Sequence, residues 1–238
     1  MLRRVLRRAD TVWKADIGEM PDWSQLRLRE AAGRIRELRS DEEARLFEHL
    51  REDFHPLVSF CLMAGVRLNN AIRLTWSQVD FDNREIVFRV KSKRPGGDVH
   101  MVPVTQAMLF LLAQQRGRHP IFVFTYVCAR SRGKRRKGEC YPFSQSGWRR
   151  PWKAALKAAG IEDFRFHDTR HTAATRTLRA SKNLKAVQRM LGHQDITTTA
   201  RYAHALKDDV LAAMEAVQSQ DNPRQETEPG AKPLKGKA

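Results

Sequence analysis

A chain of 238 residues with 44 Lys and Arg against 27 Asp and Glu carries a formal net charge of +17 and a pI near 10.5, a balance that attracts polyanions and favours nucleic acid over an anionic membrane surface as the partner. The length allows one large domain with its own core, and Cys61, Cys128 and Cys140 lack the paired spacing of a disulfide framework or a zinc ribbon. No apolar run is long enough to span a bilayer and the start, MLRRVLRRAD, lacks a secretory stretch, so a cytoplasmic protein with no membrane partner is expected.

Residues 1–39 mix an Arg-rich helical pattern with a break at Met20-Pro21-Asp22 and are too short for a core of their own. A helix is predicted from Ser40 as N-cap, with Asp41, Glu42 and Glu43 suiting the dipole and Leu46, Phe47 and Leu50 on one face. His55-Pro56 restarts a helical pattern through Leu57, Phe60, Cys61 and Met63, and a third runs from Leu68 to Trp76. After the turn-rich Val79 to Asn83, Ile86, Phe88 and Val90 recur with period two, although Val87 breaks the alternation. Val99 and Met101 alternate similarly beyond Arg94-Pro95-Gly96-Gly97, which predicts a β-hairpin with Lys91 and Lys93 near its tip. Gln106 to Gln115 reads as helix and Ile121 to Phe124 as a possible strand. The run RSRGKRRKGE from Arg130 to Glu139 follows, with Tyr141, Phe143, Trp148 and Trp152 interleaved among further cations. Stacking rings beside basic side chains favour a nucleic-acid surface, a solvated loop being the alternative. Helical pieces then cover Trp148 to Ala159, Asp168 to Ala180, Leu184 to Leu191, Ile196 to Tyr202 and Asp208 to Val217, and residues 218–238 have the composition of a disordered tail.

Two strings carry chemistry: His167-Asp168-Thr169-Arg170-His171, and Leu191-Gly192-His193 followed by Thr197 to His204 around Tyr202. On a helix His167 and Arg170 share a face, so an imidazole and a guanidinium can address one small anion. Together with Ala64-Gly65-Val66-Arg67, these boxes in this order resemble the tyrosine recombinases, or phage-integrase family, over roughly Asp41 to Val217. The resemblance implies an α+β, mainly α-helical catalytic domain with a small antiparallel sheet at residues 40–217, preceded at 1–39 by a helical remnant of the core-binding domain and its linker. It implies a site-specific recombinase that cuts and rejoins double-stranded DNA through a 3′-phosphotyrosyl link, with no cofactor and no metal, assembled as a homotetramer on two duplexes.

By position Arg67 resembles the first catalytic arginine, Lys91 the hairpin lysine, His167 and Arg170 the second-box pair, His193 the third-box histidine and Tyr202 the nucleophile. Charge growing on the non-bridging oxygens in the transition state suits Arg67, Arg170 and His193 as donors, and arginine is the planar, permanently charged partner of phosphate. A phenol with a pKa near 10 needs a cationic setting or a base, here His167, and Lys91, with Lys93 as its competitor, is the acid for the leaving 5′-oxygen. His171 and His204 are assigned support, and Asp168 the start of a helix. Residues 205–217 offer Leu206, Val210, Leu211, Met214 and Val217 for docking on a neighbouring copy or folding back.

Two departures from the family stand out: Asn69-Asn70 where a glutamate is usual three residues after Arg67, and little of the separate N-terminal clamp. Two rival readings follow. His167 and His171 also fit a zinc-binding helix, without a third ligand at a familiar spacing, and the chain could be a catalytically impaired DNA-binding remnant of an integrase.

Overall fold

The computed structural model describes residues 2–23, 35–90 and 98–207, together with Val210, Leu211, Met214, Glu215 and Val217. The chain divides into two units, Met1–Arg34 and Ile35–Ala238. In the first, α1 (Leu2–Thr11) buries none of its residues. The tail expected at 218–238 and the hairpin tip, with Lys91 and Lys93, lie outside the described residues.

The larger unit is mainly α-helical with two small antiparallel sheets, as expected of the fold class. It opens on a strap: Leu38 is 1% exposed and its amide donates to Thr172 Oγ1 at 2.9 Å, and Arg176 holds both the Leu38 carbonyl and Glu43. The helix α2 (Ser40–His49) then begins one residue earlier than Ser40 as cap implies. Arg39 is the cap, its backbone N–H donating to Glu42 at 3.0 Å, and the buried Glu42 in turn grips Arg36. Pro56 starts α3 (His55–Ala64), where a missing N–H costs nothing. Gly65, at φ +61°, ends it in a left-handed turn. A Cβ there would meet Leu191 at 3.0 Å and Ala173 and Met190 at 3.3 Å, so the close approach also demands glycine.

The third helical run stops early: α4 is Leu68–Ile72, and Trp76–Gln78 form a separate 3-10 turn. Strand β1 (Val79–Asp80) falls where a turn is expected; it adds to β2 (Glu85–Val90), which pairs with β3 (Asp98–Pro103) in the predicted hairpin, Phe88 opposite His100. Ile86 and Phe88 are buried while Val87 is half-buried, the one-sided pattern of a sheet lying on a core. Helix α5 (Gln106–Gln114) is capped by Thr105.

Ile121 to Phe124 is not a strand. Phe122 forms a single bridge to Thr75, and the Ile121 and Val123 backbones bond Trp76 and Leu74. The second sheet lies just beyond, β4 (Thr125–Val127) paired with β5 (Cys140–Pro142), and residues 129–139 between them are all exposed. Of the aromatics read as a stacking surface, Phe143 and Trp152 belong to the core, against Phe54 and Phe166 at 4.8 Å each, and Trp148 packs on Phe166 at 5.1 Å. Only Tyr141 faces the basic loop, beneath Arg135.

Helices α6 (Arg149–Ala158), α7 (Asp168–Ser181) and α8 (Leu184–Leu191) follow the predicted pieces closely. Lys182 and Gly192 end α7 and α8 in left-handed turns. At Gly192 a Cβ would meet the His100 ring at 2.7 Å, and His100 Nε2 donates to the Arg189 carbonyl at 3.1 Å, which seats β3 on the end of α8. The piece expected at Ile196 to Tyr202 shrinks to α9 (Thr197–Ala200), and a 3-10 turn, Ala203–Leu206, follows it. Val210, Leu211, Met214 and Val217 are exposed, not folded back on the domain. Among the described residues no helix is long and apolar enough to cross a membrane.

Two clusters form the interior. The larger joins α2, α3, the sheets and α6; the smaller gathers Ala174, Leu178, Val187, Leu191 and Tyr202. Helix α7 runs between them, and its buried polar residues build the candidate site.

Candidate active site

Arg170 is 3% exposed in the first turn of α7. Its Nη1 donates to the Gly65 carbonyl at 2.6 Å and its Nη2 to the Leu191 carbonyl at 2.7 Å, carbonyls left without helical partners at the ends of α3 and α8. Nη2 also donates to His193 Nε2 at 3.0 Å. A guanidinium has five N–H donors; these three bonds leave two without a partner among the described residues, able to meet an anion. Burial, with Arg67 nearby, lowers its pKa to about 10, so it remains a cation at neutral pH.

The bond from Arg170 fixes the His193 tautomer. Nε2 accepts, so Nδ1 carries the proton and donates to Thr199 Oγ1 at 2.9 Å. Burial and then Arg170 push its pKa down to about 4, in keeping with a neutral ring. His193 thus presents an acceptor to Arg170, where the sequence reading made it a donor to phosphate. Thr199, which sets that tautomer, carried no motif of its own.

Tyr202 is 1% exposed within the smaller cluster, and its hydroxyl is hydrogen-bonded to His171 Nδ1 at 2.7 Å. Its partner is therefore His171, assigned only support from sequence, and not His167. Burial raises the tyrosine's pKa, against the pull of Arg170 and Arg201. His167, just ahead of α7, is exposed and stands edge-on to His171 with centroids 5.1 Å apart. Desolvation and Arg170 hold its pKa below the ordinary histidine value.

Arg67, at the start of α4, is exposed, and its side chain makes no hydrogen bond or ion pair among the described residues. Its field nevertheless reaches Arg170, His167 and His193, lowering the pKa of each, so it belongs to the same electropositive site. Asp168 is buried at the head of α7 and accepts from the Arg165 amide at 2.7 Å, a helix-start role as expected. His204 is exposed, and its ring bonds only the Arg201 carbonyl among the described residues. The structure thus unites Arg67, His167, Arg170, His193 and Tyr202 around α7, while Lys91 falls outside the described residues. Among the described residues no group of three His, Cys, Asp or Glu side chains is placed to hold a metal ion.

Residues 36–209 match the model of the phage integrase family. The integrase of Salmonella phage P22 is 31% identical over 207 residues, 85% of this chain and 51% of its own length. The chain spans about half the length of the curated relatives it matches. Among solved structures, the catalytic domain of bacteriophage HP1 integrase aligns over 82% of this chain and 100% of that one, with a TM-score of 0.53 at 21% identity. The Tn1549 transposon integrase in complex with transposon right end DNA gives 0.58 at 20% identity, over 80% of this chain and 68% of that one. At those identities the structural likeness speaks for the fold.

Proposed function

The chain belongs to the phage integrase family, and from that premise we propose that it cuts and rejoins double-stranded DNA, Tyr202 attacking a phosphodiester to give a 3′-phosphotyrosyl link and a free 5′-hydroxyl. The observation that carries the reading is Arg170, held by two helix-end carbonyls and His193, with two donors to spare, in the field of Arg67 and beside Tyr202. Donors fixed before the reaction need no reorganisation as charge builds on the phosphate, so they stabilise the transition state more than the ground state. Arg170 and Arg67 hold the non-bridging oxygens. His193 orients Arg170, and Lys91, by resemblance, protonates the leaving 5′-oxygen.

The 129–139 hairpin supplies binding at large. Arg130, Arg132, Lys134, Arg135, Arg136 and Lys137 are all exposed, so phosphates can reach them and release counterions. The exposed Val210, Leu211, Met214 and Val217 suit docking on a neighbouring copy in a tetramer on two duplexes.

The test is covalent trapping on a library of nicked duplexes, in which the broken strand cannot be rejoined. The protein is expected to form an adduct that survives denaturation, and Tyr202→Phe to form none. The chain has three tyrosines. Adduct formation by Tyr202→Phe at the parental rate would move the nucleophile to Tyr126 or Tyr141 and overturn the assignment.

A further inference from the structure

Among the described residues, the Tyr202 hydroxyl makes one hydrogen bond, to His171. Both side chains are almost fully buried, at 1% and 6% exposure, on the apolar floor formed by Ala174, Leu178 and Leu191. His167, the base that spacing suggests, is exposed and touches the pair only through its ring edge against His171.

We propose that His171 takes the proton of Tyr202 during attack, and that it becomes a competent base only once the scissile phosphate is seated. The proposal rests on the reading of Tyr202 as nucleophile. In the tautomer that carries its ring proton on Nε2, His171 offers the Nδ1 lone pair to the phenol O–H 2.7 Å away. The proton is therefore already aligned for transfer along a short bond. In the step, the Tyr202 oxygen–phosphorus bond forms and the phosphorus–5′-oxygen bond breaks. The phenolic proton moves to His171 Nδ1, and the departing 5′-oxygen takes a proton from Lys91. Rejoining reverses both transfers, and no oxidant, reductant or metal enters the balance.

The charges around His171 explain the dependence on substrate. From α7 it faces His167, Asp168 and Arg170, and from the segment after α9 it faces Arg201 and Tyr202. Burial and these cations push its pKa down to about 4, so the free protein has a weak base and a protonated, buried tyrosine. A phosphodiester held by Arg67 and Arg170 brings a negative charge that offsets the cations and favours an imidazolium. By linkage, DNA raises the proton affinity of His171 by as much as a protonated His171 raises the affinity for DNA. The nucleophile stays inert until the bond to be cut is present.

Single-turnover adduct formation on the nicked duplex tests this with His171→Asn, whose amide oxygen can accept the phenol's hydrogen bond but cannot take its proton. A loss of about 100-fold or more is expected, with DNA affinity and melting temperature retained. The variant should also lose the acid limb of the pH–rate profile, with a smaller loss for His167→Asn. A substrate with sulfur at the leaving 5′-position, which departs unprotonated, should rescue Lys91→Ala and leave His171→Asn slow. Parental rate and pH profile in His171→Asn would overturn the proposal, as would assignment of the acid limb to His167. Nitrogen-15 histidine NMR of the unmodified protein gives a readout independent of the variants: the His171 pKa should rise on binding an uncleavable duplex, and an unchanged value overturns the proposal. Tyr202→Phe run in parallel separates the failures. An adduct from that variant sinks the assignment of the nucleophile, whereas a dead Tyr202→Phe beside a fully active His171→Asn sinks only the role of His171.

Discussion

The α7–α9 region and the β4–β5 hairpin are both basic, yet they hold their charge in opposite ways. In α7 a single guanidinium is 3% exposed and three of its donors are bound to protein. At the hairpin six cations stand in solvent, and the loop is shaped by its backbone and by Tyr141, whose hydroxyl accepts from the Arg136 amide at 3.0 Å and donates to Glu139 at 2.7 Å. Buried charge is costly and specific: it must be anchored, and once anchored it can act on one atom. Exposed charge is cheap and interchangeable, and it acts on a polyanion as a sum.

The largest effects are expected where this contrast runs inside the site itself, between Arg170 and Arg67. Each alanine variant should lose cleavage by about 100-fold or more. Arg170→Ala should also lose about 2–5 kcal/mol of stability, because it strands the Gly65 and Leu191 carbonyls, whereas exposed Arg67→Ala should stay within about 0.5 kcal/mol of the parent. Arg170→Lys should fail as well, since one ammonium cannot reproduce the planar fork. Thermal melts beside adduct assays decide it; equal melting temperatures for the two alanine variants would erase the distinction.

A second, smaller effect separates the two regions. Changing Arg132, Lys134, Arg136 and Lys137 to glutamine should lower the slope of log binding constant against log salt by up to about 4, and leave the cleavage rate at saturating protein unchanged. An unaltered slope would mean that DNA does not reach the hairpin.

The smallest effect is in acid. His171 and His193 titrate near 4 in the folded chain, below the ordinary value of about 6.5. As pH falls the unfolded chain takes up protons first, so their contribution is intact above about pH 6.5 and is lost as pH drops toward about 4. A loss on the order of 2–3 kcal/mol in all is expected, discounted for the half-buried His193. The denaturant midpoint of the parent should fall across that window while that of a His171→Asn, His193→Gln variant stays nearly level; parallel curves would remove the two histidines from the account.

Much of this was legible before folding was considered. Pro56 and Gly65 mark their helix ends by backbone rules that hold locally, and the two runs of alternating apolar residues pair as β2 and β3. What escaped was non-local or too short. β1 is two residues whose strand character comes from β2, and β4 is identified by its partner β5 more than by its own sequence. Phe143 and Trp152 look alike in sequence whether they face DNA or Phe54 and Phe166. In the site, the motif boxes brought the right residues forward, but the anchoring of Arg170 depends on two helix ends distant in sequence. The pairing of His171 with Tyr202 spans 31 residues. One signal was available: His171, Ala174 and Leu178 recur at helical spacing on the core-facing stripe of α7, which places the imidazole inward beside whatever the smaller cluster buries.

The seat of His100 on Gly192 and Arg189 makes the β2–β3 hairpin a lever with one fulcrum. Phe88 lies opposite that fulcrum, and Val90 ends the strand two residues, or about 7 Å, beyond it. Rocking by about 10° swings the strand's end by about 1 Å, the scale at which misplaced groups cost about a hundredfold in rate. Any side chain at residue 192 would wedge the fulcrum open, so the mechanical tolerance of the β2–β3 arm is set by the missing methyl of a glycine beside His193.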